Sequence, residues 1–138
     1  MKTKLTIAKL VDKTATDLQK LVRLKAADAV GFCQCVSCGS RNHFTKMDGG
    51  HFFSRTHLRF KLFIENIHPQ CKRCNMLMGD AKVHEGYRKY MIDMYGERRI
   101  QAMHRLLNWK KPKFKRVAVL EFRKDIKRQI KELENRYE

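Results

Sequence analysis

Apolar residues return at helical spacing in five places along the chain, and between the second and third the rhythm fails. Leu5, Ala8 and Val11 mark a weak helix over 3–12. Leu18, Leu21, Val22, Ala26 and Ala29 form a stronger stripe. Thr16-Asp-Leu-Gln19 has capping-box form at its start, and Gly31 stands where the helix should stop. After the gap, Tyr87, Tyr90, Met91, Met94 and Tyr95 repeat up to Gly96. Ile100, Met103, Leu106, Leu107 and Trp109 follow. Val119, Phe122, Ile126, Ile130, Leu133 and Tyr137 share one seam of a last helix over about 117–136. That helix could fold back on the rest, pair with a second chain, or lie along DNA.

In the gap the chain reads as strands and turns. Residues 32–40 form a short strand running into the knuckle C-V-S-C-G-S, where Gly39 suits a tight turn. Residues 44–53 look extended, with Gly49-Gly50 as a break. Ser54 to Phe60 is a basic loop, and 61–70 returns as a second strand with Pro69 near its end. A short helix should begin at Cys71 and end near Gly79. The expected organisation is a helical segment over 1–31, a core over 32–82, a helical pair over 83–109, and a basic linker with its helix over 110–138.

Composition changes this picture in two ways. A net charge of +17 on 138 residues calls for a polyanionic partner, and nucleic acid is favoured because no polybasic block flanks a membrane anchor. No apolar run reaches the roughly 18 residues needed to span a bilayer, and the N-terminus lacks the apolar region of a secretion signal. A cytoplasmic location is the expectation. The five cysteines are an odd number without an export signal, which argues for metal over disulfides.

Cys35-x2-Cys38 and Cys71-x2-Cys74 supply four thiolates across 32 intervening residues. Zinc takes such a set tetrahedrally, and four thiolates leave no open position, so this ion is a staple. Cys33 is left without a role. Inside the staple lie residues suited to phosphodiester hydrolysis, which needs a base and a divalent ion held near the phosphate. His51 is the candidate base. Asp48 and Asn75 offer hard oxygen donors of the kind magnesium prefers, with the glycines expected to turn the chain so that Asp48 and His51 converge.

The order C-x2-C, D-x2-H, N-x4-C-x2-C-N resembles the His-Me finger (HNH, or ββα-metal) nucleases. D-G-G-H followed by C-K-R-C-N is similar to the endonuclease VII class of Holliday-junction resolvases. Closer still, G-F-C-Q-C-V-S-C-G, M-D-G-G-H-F-F-S-R, L-R-F and N-I-H-P-Q-C-K-R-C-N resemble the lambda-type NinG (Rap) recombination endonucleases over about residues 16–108. Many relatives carry D-A-G-H where this chain has Gly49-Gly50.

The resemblance implies an α+β fold: a zinc-stapled ββα-metal core in a mainly helical frame. It implies structure-selective cleavage of branched phage DNA by a homodimer, leaving 5′-phosphates, with magnesium or manganese on Asp48 and Asn75. Asn66 would brace the loop that carries the base. Arg55, Arg59, His68, Lys72, Arg73 and Arg88 are candidate DNA contacts. Two rivals stay open: an HNH enzyme nicking or cutting ordinary duplex, and a non-catalytic zinc-ribbon protein that binds nucleic acid.

Overall fold

The structure is a computed structural model and describes residues 4–137. The expected helix signal over 3–12 therefore begins outside the described residues by one position. Helix α1 spans Ile7–Ala26 without interruption and takes in most of both N-terminal stripes, leaving Leu5 before it and Ala29 beyond it, with Ala8 exposed. Thr6 caps it, its hydroxyl accepting from Lys9 N at 3.2 Å. The capping box expected at Thr16 is absent. In mid-helix the Thr16 hydroxyl donates back to Asp12 O at 3.1 Å, as such side chains do when the backbone donors are already taken. The buried face runs through Leu10, Val11, Thr14, Ala15, Leu18, Leu21, Val22 and Leu24. Ala26 and Ala29 are exposed. Gly31 does not end the helix. It takes φ +90° in the following turn, which Gly31 N closes onto Asp28 O at 3.0 Å.

Strands β1 (Phe32–Gln34) and β2 (Arg41–His43) form a small antiparallel hairpin around the first cysteine pair. After a 3-10 turn at 44–46 come β3 (Met47–His51) and, beyond a 15-residue connection, β4 (Ile67–Cys71). These two pair antiparallel with Asp48 opposite Gln70, Gly50 opposite His68, and His51 opposite Ile67. The expected second strand is shorter than its sequence suggested. Residues Leu58–Lys61 form helix α2 and 64–66 a 3-10 turn. Pro69 sits within β4, tolerated because a two-stranded sheet leaves one edge of each strand unpaired. Helix α3 (Lys72–Met76) follows β4 directly.

Gly49 and Gly50 are not a break. Both lie inside β3 at negative φ, and each is required by a close approach. A Cβ on Gly49 would stand 2.7 Å from the Gln19 Cα of α1. One on Gly50 would stand 1.7 Å from Gln70 Oε1. The pair lets α1 press on one face of the hairpin and the Gln70 side chain cross the other.

Helices α4 (Ala81–Tyr95) and α5 (Glu97–Arg105) meet at Gly96, whose φ of +87° turns the chain between them. Tyr87, Met91, Ile100 and Met103 join Phe52 and Phe60 in one core. Met94, Leu106 and Trp109, read from the sequence as part of these stripes, are exposed. Helix α6 (Arg116–Glu134) returns to α1. Ile126 and Ile130 pack with Leu18, Leu21 and Ile67, and Val119 packs with Leu10 and Val11. The two helices run in the same direction: Val119 meets Val11 at one end, and Tyr137 donates to Asp28 O at 2.8 Å beyond the other.

The first and last segments of the chain thus close over the hairpin as one layer instead of standing as separate units. The boundary expected between 82 and 83 falls inside α4. No described helix is long and apolar enough to cross a membrane.

Candidate functional site

The first cysteine pair is presented by the turn after β1. Gly39, at φ +78°, donates its N–H to Cys35 O at 2.9 Å, and Cys35 N reaches Ser40 O at 2.8 Å. The second pair straddles the β4–α3 junction, where the Cys71 Sγ caps α3 by accepting from Cys74 N at 3.4 Å. Val36 N to Pro69 O at 3.0 Å ties the knuckle to β4. All four Sγ atoms lie within 4.8 Å of one another, and Cys38 and Cys71 are 3.9 Å apart. A tetrahedron with Zn–S bonds of about 2.3 Å has edges of about 3.8 Å. The four cysteines therefore fit a zinc ion. Burial pushes the Cys35 thiol up, whereas Ser40 beside Cys38 draws that thiol down to about 6. A central cation would stabilise all four as thiolates. Cys33 stands outside the set, buried against Met47, Cys35 and Cys74.

One side of this cluster carries Asp48 and Asn75. Asn75 follows the last cysteine on α3 and donates Nδ2 to Asp48 Oδ2 at 3.0 Å. Lys72 Nζ stands 3.0 Å from the other oxygen, Oδ1. Burial pushes the Asp48 carboxyl up, but Lys72, Asn75 and Arg23 outweigh it and hold it below the usual range. The ionised carboxylate and the free Asn75 Oδ1 are hard donors side by side, a set that suits magnesium or manganese.

His51, at the end of β3, lines a cleft of about 510 Å³ together with Asn75, Gln19, Arg55 and His84. Asp48 and His51 are three residues apart on one strand, so alternation sends them to opposite faces, and no glycine turn brings them together. What unites the site is Asn75, which touches Asp48 and faces the same cleft as His51. His51 Nε2 lies 3.0 Å from Lys61 O. A carbonyl only accepts, so the hydrogen of the neutral ring sits on Nε2 and the Nδ1 lone pair is left for other work. Burial, with the Arg55 and Lys61 charges behind it, lowers the His51 pKa and outweighs the Lys61 carbonyl.

Asn66 is fully buried at the base of the 52–66 connection. Its Oδ1 accepts from Phe53 N at 2.8 Å, and its Nδ2 donates to Phe53 O at 2.9 Å and Phe60 O at 3.2 Å. One side chain thereby pins both limbs of the loop that begins at His51.

The other candidates divide. Arg55 and Arg73 are exposed, Arg55 at the cleft itself. Arg88 pairs with Glu97 at 3.5 Å. Arg59 points away from the cleft and donates to Lys110 O at 2.7 Å. His68 is not a contact open to phosphate: it is buried, with Tyr87 Oη at 3.1 Å and Tyr95 Oη at 2.8 Å on its two nitrogens. Phe52 lies in the core, and Phe53 packs against it.

Gln19 and Arg23 of α1 are not among the site residues expected from the sequence, yet Gln19 lines the His51 cleft. Arg23 is half-buried and donates Nη1 to Met47 O at 2.9 Å and Phe44 O at 3.1 Å, carrying positive charge toward Asp48. Their i, i+4 spacing was visible, but nothing in the sequence says that β3 lies against that face.

Comparisons with curated proteins and with solved structures gave no match. The family described as Bacteriophage Lambda NinG protein matches residues 1–138, the whole length on which this cysteine cluster and cleft are built, and the chain belongs to it.

Proposed function

We propose that this chain is a metal-dependent, structure-selective endodeoxyribonuclease that cuts branched DNA in phage recombination, with β3, β4 and α3 as its ββα-metal core. The observation that carries the reading is the Asp48–Asn75 contact beside a cleft that His51 shares with Asn75. Two rigid elements, one strand and one zinc-anchored helix, bring a carboxylate and an amide together. A protein that only gripped DNA would have no need of that pair, nor of a buried imidazole lining a cleft with one ring nitrogen unbonded.

In this reading Asp48 and Asn75 hold magnesium or manganese, whose charge offsets that of the phosphate and the leaving oxygen. His51 takes the proton of an attacking water at Nδ1, while the Lys61 carbonyl keeps the ring in the needed tautomer. Because its pKa is lowered, the ring is neutral and ready at pH 7. Asn66 keeps the loop, and with it the ring, in place. Arg55 lies where it can steady a phosphate, and Lys72 and Arg73 flank the ion's ligands on α3. Two symmetric cuts across a junction need two such sites, so the acting species is a homodimer.

The test compares cleavage of a synthetic four-way junction and a linear duplex with magnesium, using wild type and His51→Ala. The expected outcome is junction cutting that falls about 100-fold or more in the variant, with junction binding within about twofold. Equal cutting of linear duplex would favour a general HNH enzyme. Cutting by His51→Ala at the wild-type rate would remove His51 as the base, and no cutting by either protein would leave only the nucleic-acid-binding zinc protein.

A further inference from the structure

The cleft above accounts for a phosphate being cut but not for how a branch is told from plain duplex. A second feature lies on the other side of the same loop. Between Glu97 and Glu121 the chain carries no acidic residue, and its centre reads W-K-K-P-K-F-K-R from Trp109 to Arg116. Lys110, Lys111, Lys113 and Lys115 are exposed, and none forms an ion pair among the described residues.

The two aromatics of this segment are used differently. Phe114 packs against the Leu10, Val11 and Val119 cluster and anchors the linker. Trp109, the chain's sole tryptophan, is 65 % exposed. An indole left in water gives up the burial that makes tryptophan valuable in a core, so its position needs another reason.

Trp109 lines a cleft of about 310 Å³ with Thr56, His57, Arg59, Lys110 and Lys111. The Arg59 bond to Lys110 O clips the linker to the 54–59 loop, fixing the cleft's floor. Arg55, four residues earlier on that loop, lines the His51 cleft instead. One basic loop thus contributes lining residues to both clefts.

We propose that Trp109 is a stacking platform for an unpaired base, with the lysines of the linker holding the phosphates on either side. This rests on the nuclease reading for its purpose but not for its binding. An exposed aromatic within a basic groove is the arrangement that captures single strands, since every base offers a face. In intact duplex those faces are already stacked and the platform finds nothing. At a branch, an end or a gap it does, and the difference becomes selectivity for structure.

Because Trp109 is the only indole, its emission reports the event directly. The full-length zinc-loaded chain, kept free of magnesium and manganese so that nothing is cut, is titrated with a short single-stranded DNA and separately with duplex of the same sequence. Single strand should quench the emission at least twofold, and duplex should leave it nearly unchanged. Trp109→Ala should weaken single-strand and junction binding about tenfold by anisotropy of labelled DNA, while duplex affinity holds. Trp109→Phe should keep most of the affinity.

Emission indifferent to single strand, or Trp109→Ala binding single strand as wild type does, overturns the proposal. So does quenching that follows protein concentration without DNA, which would mark the indole as a contact between copies. His51→Ala should quench normally. A chain that never cuts DNA yet still quenches would sink the nuclease reading and leave the platform standing.

Discussion

His51 and His68 share one hairpin and one residue type, yet their surroundings differ: one ring nitrogen of His51 has a partner, and both of His68 do. The Tyr87 hydroxyl gives its only hydrogen to Gly50 O at 2.7 Å, so toward His68 it can only accept, and Nδ1 of His68 must carry the ring hydrogen. Nε2 then accepts from Tyr95. The ring is locked neutral, and burial draws its pKa down to about 4. Unfolded, it would bind a proton near the ordinary value of 6.5, so between 6.5 and 4 the unfolded chain holds more protons and stability falls with pH. The contribution is fully present above 6.5, and about 3 kcal/mol of it is lost as the pH falls to 4. Denaturant titrations at pH 7 and pH 4 should show wild type losing about that much more stability than His68→Asn, and equal losses would refute the assignment. The motif singled out His51 as a candidate base, because its spacing to Asp48 and the cysteines is local. Tyr87 and Tyr95 lie 19 and 27 residues from His68, and no local pattern announces their hydroxyls. The glycines failed for a related reason. A close approach looks like a turn when only the glycine is visible, and in this chain alanine at 49, as in the D-A-G-H relatives, would have to seat α1 further from β3.

Among the elements, the long helices were legible and the short ones were not. Apolar periodicity over α4, α5 and α6 survives in part: Tyr87 and Met91, Ile100 and Met103, and Val119, Ile126 and Ile130 are buried, whereas Met94 and Phe122 are exposed. The 61–70 segment, apolar and rich in β-formers, read as one strand, yet α2 and a 3-10 turn take its first half so that Phe60 and Asn66 can close the loop under His51. Helix α3 has five residues, far too few to hold itself, and β1 and β2 have three each. Their geometry depends on the cysteine cluster, which explains why spacing alone could predict that they meet. One zinc per chain is the expected content by elemental analysis. Chelation should speed hydrogen exchange across β3, β4 and α3, where Asn75 sits, while amides from Leu18 to Leu24 of α1 stay protected by their packing with Ile126 and Ile130. Exchange that rises evenly over the whole chain would mean that the cluster holds nothing in particular.

At the scale of the whole molecule, charge was legible as a total and hidden as a map. Among the described residues nine acidic side chains sit in ion pairs, several of them joining elements far apart in sequence: Asp17 to Arg123 and Lys20 to Glu134 bind α1 to α6. Those pairs, with Val119, Ile126 and Ile130, decide among the three fates open to the last helix: it folds back on α1. They also use up cations that composition alone counts as free. The surplus that remains is concentrated, and the linker before α6 is its densest run. If Lys110, Lys111, Lys113 and Lys115 each neutralise a phosphate, replacing all four with glutamine should reduce the slope of log affinity against log salt for single-stranded DNA by about 3, since each such contact contributes about 0.7. The same variant should keep its zinc and its helical content, because these side chains hold no partner in the fold. A slope that does not change would mean that the long-range field of the whole +17 chain draws DNA in and that the linker is a bystander. A slope reduced by the expected amount would assign the grip to one strip of backbone beside Trp109.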